Sequence, residues 1–166
     1  DDMLVNLPLL INRLKLIDIN GDTGNDTKFL MCLLIRGKRV VRDPNNKWHV
    51  SKDEWPEDIY ENYCAGQGYL FSQDALVAIL NESQYNNYYW IEDYYITGHL
   101  AKKADVKFKD IINLFRFNST GMIPRLNMSH PKPLMFLDAQ RPSYAIQMWD
   151  AIRHFNEQPR HSNFTK

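Results

Sequence analysis

Seven apolar residues stand in a row from Phe29 to Ile35. The run is too short for most helices, so it reads as a strand. Arg36-Gly37-Lys38 then turns the chain towards Val40-Val41, which predicts a hairpin. Upstream, Pro8 can open a helix, and Leu10, Ile11, Leu14 and Ile17 recur at helical spacing. Asn20 to Asn25 is a loop. Asp43 to Pro56 is polar and proline-bounded but carries Trp48 and Trp55, which predicts an ordered loop rather than a linker. Tyr69 to Phe71 reads as a short strand, and Ser72 caps a helix running through Ala75, Leu76 and Ile79 to Leu80. Gln84 to Tyr89 is a loop, and a second helix runs from about Glu92 to about Lys103 with an acidic first turn. Ile111–Phe117 and Leu134–Leu137 are expected strands, and Pro142 opens a last helix through Ile146, Trp149 and Ile152. Strands alternating with helices predict α/β layers.

At 166 residues the chain fits one domain, expected over 1–158, with 159–166 as a loose tail. Twenty basic residues face twenty acidic ones without striping, which argues against a nucleic acid partner. No apolar run approaches the roughly 18 residues that cross a bilayer. The chain opens on Asp1-Asp2 and reads as a piece of something longer. Two cysteines, Cys32 and Cys64, define no disulfide framework, and Cys32 reads as a buried thiol in a strand. Sequons at Asn25, Asn81, Asn118, Asn127 and Asn163 favour the lumen of the secretory pathway. An aromatic content of 13% suits sugar faces and an ordinary core alike.

Four segments carry possible chemistry. Asp1-Asp2 precedes the apolar Met3-Leu4-Val5 stretch; paired carboxylates suit a hard divalent cation, but such a pair at a chain end is also an ordinary solvated one. Tyr63-Cys64-Ala65-Gly66-Gln67-Gly68-Tyr69 leads into Leu70-Phe71-Ser72, and its two glycines allow close backbone approach to a ligand or simply a turn. Glu92-Asp93 opens a helix, where a carboxylate can act as general base or merely cap. In Arg42-Asp43-Pro44-Asn45-Asn46-Lys47-Trp48, the Trp can stack on a sugar while the Lys reaches an oxygen, or it can plug the loop onto the core.

In this order the segments resemble the β-1,3-glycosyltransferases of carbohydrate family 31, which include β-1,3-galactosyl- and N-acetylglucosaminyltransferases and, more distantly, the Fringe enzymes. The resemblance is good from Asp1 to about Phe108. It implies a GT-A fold, incomplete here, because the first Asp of the family's Asp-x-Asp motif and the early uridine-cradling strands would lie upstream. It further implies that Asp2 binds a divalent metal such as Mn²⁺ and that Asp93 is the catalytic base. Glu92, Gly66, Gly68, Lys47 and Trp48 match positions that shape the donor-sugar and acceptor pockets.

Family members commonly place a metal-binding His on a late strand, in a His-Gln-x-x-Pro setting about eleven residues before a helical Trp. Counting back from Trp149 through Pro142 lands on Asp138, a carboxylate able to bind Mn²⁺, with His130 as the alternative. His99 and His154 read as packing or surface residues. The implied reaction is inverting transfer of galactose or an N-acetylhexosamine from a UDP-sugar to the 3-hydroxyl of a glycan on glycoprotein or glycolipid. Its implied setting is the Golgi lumen, with a membrane anchor upstream of the chain and the fragment alone inactive. A non-catalytic carbohydrate-binding relative and an assembly subunit remain alternatives.

Overall fold

The structure, a computed structural model, describes residues 3–20, 27–116, 136–138 and 141–157. In chain order its elements are β1 (Met3–Val5), α1 (Leu7–Asn20), β2 (Phe29–Ile35), β3 (Tyr63–Phe71), α2 (Gln73–Ser83), α3 (Glu92–Tyr94), a π-helical stretch (Tyr95–Leu100), α4 (Ala101–Lys103), β4 (Lys107–Asp110), a 3-10 turn (Ile112–Leu114), β5 (Phe115–Arg116), β6 (Phe136–Asp138) and α5 (Pro142–Glu157). They form two compact units, Asp1–Asp22 with Asn113–Lys166, and Thr23–Ile112. Both mix strands with helices, as the alternation predicts.

In the unit Thr23–Ile112 the sheet order is β3-β2-β4. The apolar run is the middle strand, antiparallel to β3 and parallel to β4, and Leu30, Met31, Cys32 and Leu33 are all buried. A strand covered on both faces has no polar face to alternate, which explains its unbroken apolar character. The predicted hairpin does not form. Gly37 turns the chain at φ 61°, but β3 and β4 already occupy both edges of β2. The segment instead meets the 58–60 stretch, with Val40 N–H donating to Asp58 at 3.0 Å and Tyr60 N–H to Lys38 at 2.9 Å.

Other boundaries move as well. β3 begins at Tyr63 rather than Tyr69. Lys107–Asp110 is a strand that the apolar pattern misses, because its charged side chains suit a sheet edge. Of the predicted strand Ile111–Phe117, only Phe115–Arg116 is strand among the described residues, because Asp110 accepts the Ile112 N–H at 3.1 Å and starts the 3-10 turn; Phe117 lies outside them. Cys32 is not a free thiol. It pairs with Cys64 in a fully buried disulfide between β2 and β3, with a Cα–Cα distance of 5.6 Å. Sequence could not decide this, since two cysteines pair only if the strands bring them together.

The ordered loop is confirmed, and Arg42 organises it. The guanidinium donates to the carbonyls of Val50, Ser51 and Trp55 at 2.8 Å and of Glu57 at 2.6 Å. Ser72 caps α2 by accepting the Ala75 N–H at 3.2 Å, and it also accepts the Phe29 N–H at 3.0 Å, tying the helix start to β2. The core gathers Leu30, Cys32, Val50, Ala75, Ile79 and Leu100 with a cluster of tyrosines around Trp55.

The other unit has the sheet order β1-β6-β5, with Met3 opposite Asp138 in an antiparallel ladder. Asn6 accepts the Leu9 N–H at 3.2 Å at the start of α1. On α5, Met148 and Ile152 are buried and pack with Leu4, Tyr144 and Ala145. The expected loop at 20–25 beyond Asn20, residues 134 and 135 of the expected late strand, and the expected tail 159–166 lie outside the described residues.

Candidate functional site

Between Cys32 and Leu34 the β2–β3 register slips. Cys32 pairs with Tyr69 and Leu34 with Cys64, so Leu33 alone stands against the four residues Ala65 to Gly68. The Gly-x-Gly segment is therefore a bulge, a device that re-aims backbone at a site. It meets Asp93. A Cβ added to Gly66 would lie 3.3 Å from Asp93 Oδ2, so the missing side chain is what lets the backbone come up to the carboxylate.

Asp93 lies in the first turn of α3, whose N-cap, Ile91, offers no side-chain cap. Its carboxylate accepts the Tyr94 N–H at 2.8 Å. Thr97, fully buried, donates through its hydroxyl to the Asp93 carbonyl and accepts the Cys64 N–H at 2.9 Å. The helix is thus stitched to β3 one residue before the bulge region, beside the disulfide. Gly98 completes the packing: a Cβ there would sit 2.8 Å from Tyr94 Cδ2 and 2.9 Å from Tyr63 Cβ.

Burial pushes the Asp93 carboxyl above its ordinary range, and the neighbouring Glu92 charge adds to the rise. The Tyr94 and Gly66 amides pull the other way without reversing it. Asp93 is half-buried and Glu92 exposed. A half-buried carboxylate that holds a proton more tightly than a free aspartate, bordered by open backbone, is suited to proton abstraction from a bound hydroxyl.

Lys47 and Trp48 lie exposed on the ordered loop. Trp48 stacks on Trp90 with centroids 6.0 Å apart and planes 6° from parallel, and Lys47 Nζ sits 4.9 Å from the Trp48 ring centre. Sequence reasoning gave Trp90 no role. The only signal for it was an aromatic two residues before Glu92. Gly68 falls in the bulge with Gly66.

Asp1, Asp2, His130 and the sequons at Asn25, Asn118, Asn127 and Asn163 lie outside the described residues. Asp138 is the register partner of Met3, the residue that follows Asp2. Among the described residues no group of three or more His, Cys, Asp or Glu could hold a metal. Asn81 is exposed on the last turn of α2. His99 stacks on Tyr95 and meets Trp55 edge-on, and His154 contacts the Asp150 carbonyl from the surface, as packing and surface residues. No helix among the described residues is long and apolar enough to cross a membrane.

Comparison with known proteins identifies the family. A family model described as galactosyltransferase matches residues 1–111. Human β-1,3-galactosyltransferase 5 is 25% identical over 153 residues, covering 92% of this chain and 46% of the relative. The mouse protein of that name is 27% identical over 157 residues, covering 95% and 48%. Human β-1,3-galactosyltransferase 2 is 35% identical over 101 residues, covering 61% and 23%. The chain spans about half the length of the first of these curated relatives. With the matched segment containing the bulge, the Glu92-Asp93 turn and Gly98, the chain belongs to the galactosyltransferase family of β-1,3-glycosyltransferases, carbohydrate family 31.

Proposed function

We propose that the protein of which this chain is part is an inverting β-1,3-hexosyltransferase of GT-A architecture. It moves galactose or an N-acetylhexosamine from a UDP-sugar to the 3-hydroxyl of an acceptor glycan. The observation that carries this reading is the Asp93 carboxylate, half-buried, raised in proton affinity and bordered by the Gly66 bulge. Asp93 takes the proton of the attacking 3-hydroxyl as that oxygen attacks the donor's anomeric carbon on the face opposite UDP, which is what inverts the centre. Glu92, exposed beside it, and the Gly66–Gly68 backbone supply sugar contacts. The exposed Trp48–Trp90 stack offers an apolar face to a pyranose ring, with the Lys47 amine beside it.

Asp2 and Asp138 are the residues to hold a divalent cation. Both are hard oxygen donors, and Asp138 pairs across the ladder with the residue following Asp2. Bound Mn²⁺ would supply charge neutralisation on the departing diphosphate. The buried Cys32–Cys64 disulfide and the exposed Asn81 sequon support an oxidising lumen, and we place the protein in the Golgi with an anchor upstream of these residues.

The test is Asp93→Asn in the full-length protein. Turnover should fall roughly 100-fold or more, the usual weight of a general base, while UDP binding with Mn²⁺ stays near normal. Asp2→Asn should weaken that binding instead, and Glu92→Gln should fall between the two. A folded Asp93→Asn protein with near-normal turnover overturns the assignment. The exposed indole pair also fits a non-catalytic glycan-binding relative; glycan binding with no turnover of any UDP-sugar would identify that case.

A further inference from the structure

In the unit Thr23–Ile112, a hollow of about 490 Å³ opens between the 54–61 stretch and the 85–89 loop, with His99 in its lining. Its volume lies within the range of small-molecule sites, roughly 300–1,000 Å³. None of Gly66, Glu92 and Asp93 lines it. We propose that this hollow is a second carbohydrate pocket, which takes a neutral sugar residue through Tyr85, Tyr88 and Trp55.

The rings are the first argument. Tyr85 is 83% exposed and Tyr88 77% exposed, yet both line a concave surface together with Trp55. Aromatic rings with polar edges, held open to water in a hollow, match the apolar face and hydroxyl rim of a pyranose.

Preorganisation is the second argument. Asn86, at the centre of the loop, is held three ways: its amide donates to the Glu82 carbonyl at 2.7 Å, its side-chain oxygen accepts Lys103 Nζ at 2.5 Å, and its carbonyl accepts the Tyr95 hydroxyl at 3.2 Å. Opposite it, the Trp55 and Glu57 carbonyls are clamped by Arg42. A pocket whose walls are fixed before binding loses little ordering entropy on binding.

Charge selects the ligand. Glu54, Glu57 and Glu61 line the hollow, and no Lys or Arg does. Burial pushes the His99 imidazole below its ordinary range, and the Lys103 charge pushes it further the same way, so it adds no cation near neutral pH. Lys102 pairs with Glu61 at 3.3 Å and Lys103 bonds Asn86, which leaves Glu54 and Glu57 as the acidic charge of the lining. Those two carboxylates disfavour sialylated or sulfated sugars and the UDP moiety itself, and leave a neutral hexose or N-acetylhexosamine.

The inference goes beyond transfer at Asp93 and is tested apart from it. The full-length protein carrying Asp93→Asn, with no donor present, is titrated with N-acetyllactosamine and with its sialylated form, and binding is followed by NMR and calorimetry. Neutral disaccharide should bind with a dissociation constant on the order of 1 mM. Tyr85→Ala/Tyr88→Ala should weaken this roughly tenfold, the loss expected on truncating aromatic anchors, and the sialylated form should bind less well than the neutral one. Both tyrosines are exposed, so the variant should fold, and UDP binding with Mn²⁺ reads the donor site separately. Absent binding at ten times that concentration, an unchanged constant in the double variant, or equal or tighter binding of the sialylated form would each overturn the proposal. A transferase that turns over normally with an empty hollow would leave the reading of Asp93 standing.

Discussion

Gly98→Ala sets two known effects against each other. Alanine is the better helix former by about 1 kcal/mol, so at an open helical position the change would stabilise. Here the added Cβ would fall 2.8 Å and 3.0 Å from two ring carbons of Tyr94 and 2.9 Å from Tyr63 Cβ, where carbons prefer roughly 3.5–4.0 Å. Neither neighbour can step aside. Tyr63 Cβ is one bond from the β3 backbone, and the fully buried Tyr94 ring is packed against Tyr60 at 4.1 Å between centroids and against the edge of Trp55 at 5.2 Å. Overpacking costs about 1–3 kcal/mol and more against rigid partners, so the clash should win by about 2 kcal/mol. For a unit of this size that lowers the melting temperature by about 8–16 °C. Turnover should fall as well, because Tyr94 carries the amide that holds Asp93. Thermal melts by circular dichroism provide the assay, with Gly37→Ala as reference. Gly37 has φ 61° and nothing within 4 Å of its added Cβ, so its cost is the left-handed penalty alone, about 1 kcal/mol. A Gly98→Ala protein that melts at or above the parent temperature, or costs less than Gly37→Ala, would refute the packing argument.

Three further outcomes are expected. Because the folded state raises the Asp93 pKa above the ordinary 3.8, its stabilising share is complete below that value and lost as pH rises through the folded pKa; Asp93→Asn should therefore be at least as stable as the parent at neutral pH, with the difference fading as pH falls towards 4, and a variant less stable at pH 7 with no pH trend would contradict this. The disulfide closes a separation of 32 residues, so Cys32→Ala/Cys64→Ala should lose about 3–4 kcal/mol in denaturant titration, and an unchanged midpoint would show that the bridge does not constrain the unfolded chain. Arg42→Lys keeps the charge but cannot span four carbonyls with one amine, so it should cost about 2–3 kcal/mol and loosen the hollow; a loss within 0.5 kcal/mol would remove Arg42 as the loop's organiser.

Local patterning alone determined much of the scaffold. The unbroken Phe29–Ile35 run is a strand with the bounds its apolarity predicts, Ser72 caps its helix, and Pro142 opens the last one. These features depend on short-range chemistry, namely backbone satisfaction at a cap, a proline's missing donor and the length of an apolar run. The segments that carry the family resemblance were legible for the same reason, since each is a short string whose residue types are constrained by close contact. Their meaning was not legible. Gly66 and Gly68 read equally well as a turn, and only the three-residue slip of β3 against β2 turned them into a bulge facing Asp93. The Cys32–Cys64 bridge, the choice of β4 over Val40-Val41 as the neighbour of β2, the Trp48–Trp90 stack and the four-carbonyl grip of Arg42 all join residues distant in the chain. The same is true of the proton affinity of Asp93, which comes mainly from burial. A side chain's burial and its partners across the fold are set by which strands lie side by side, and no window of sequence contains that information.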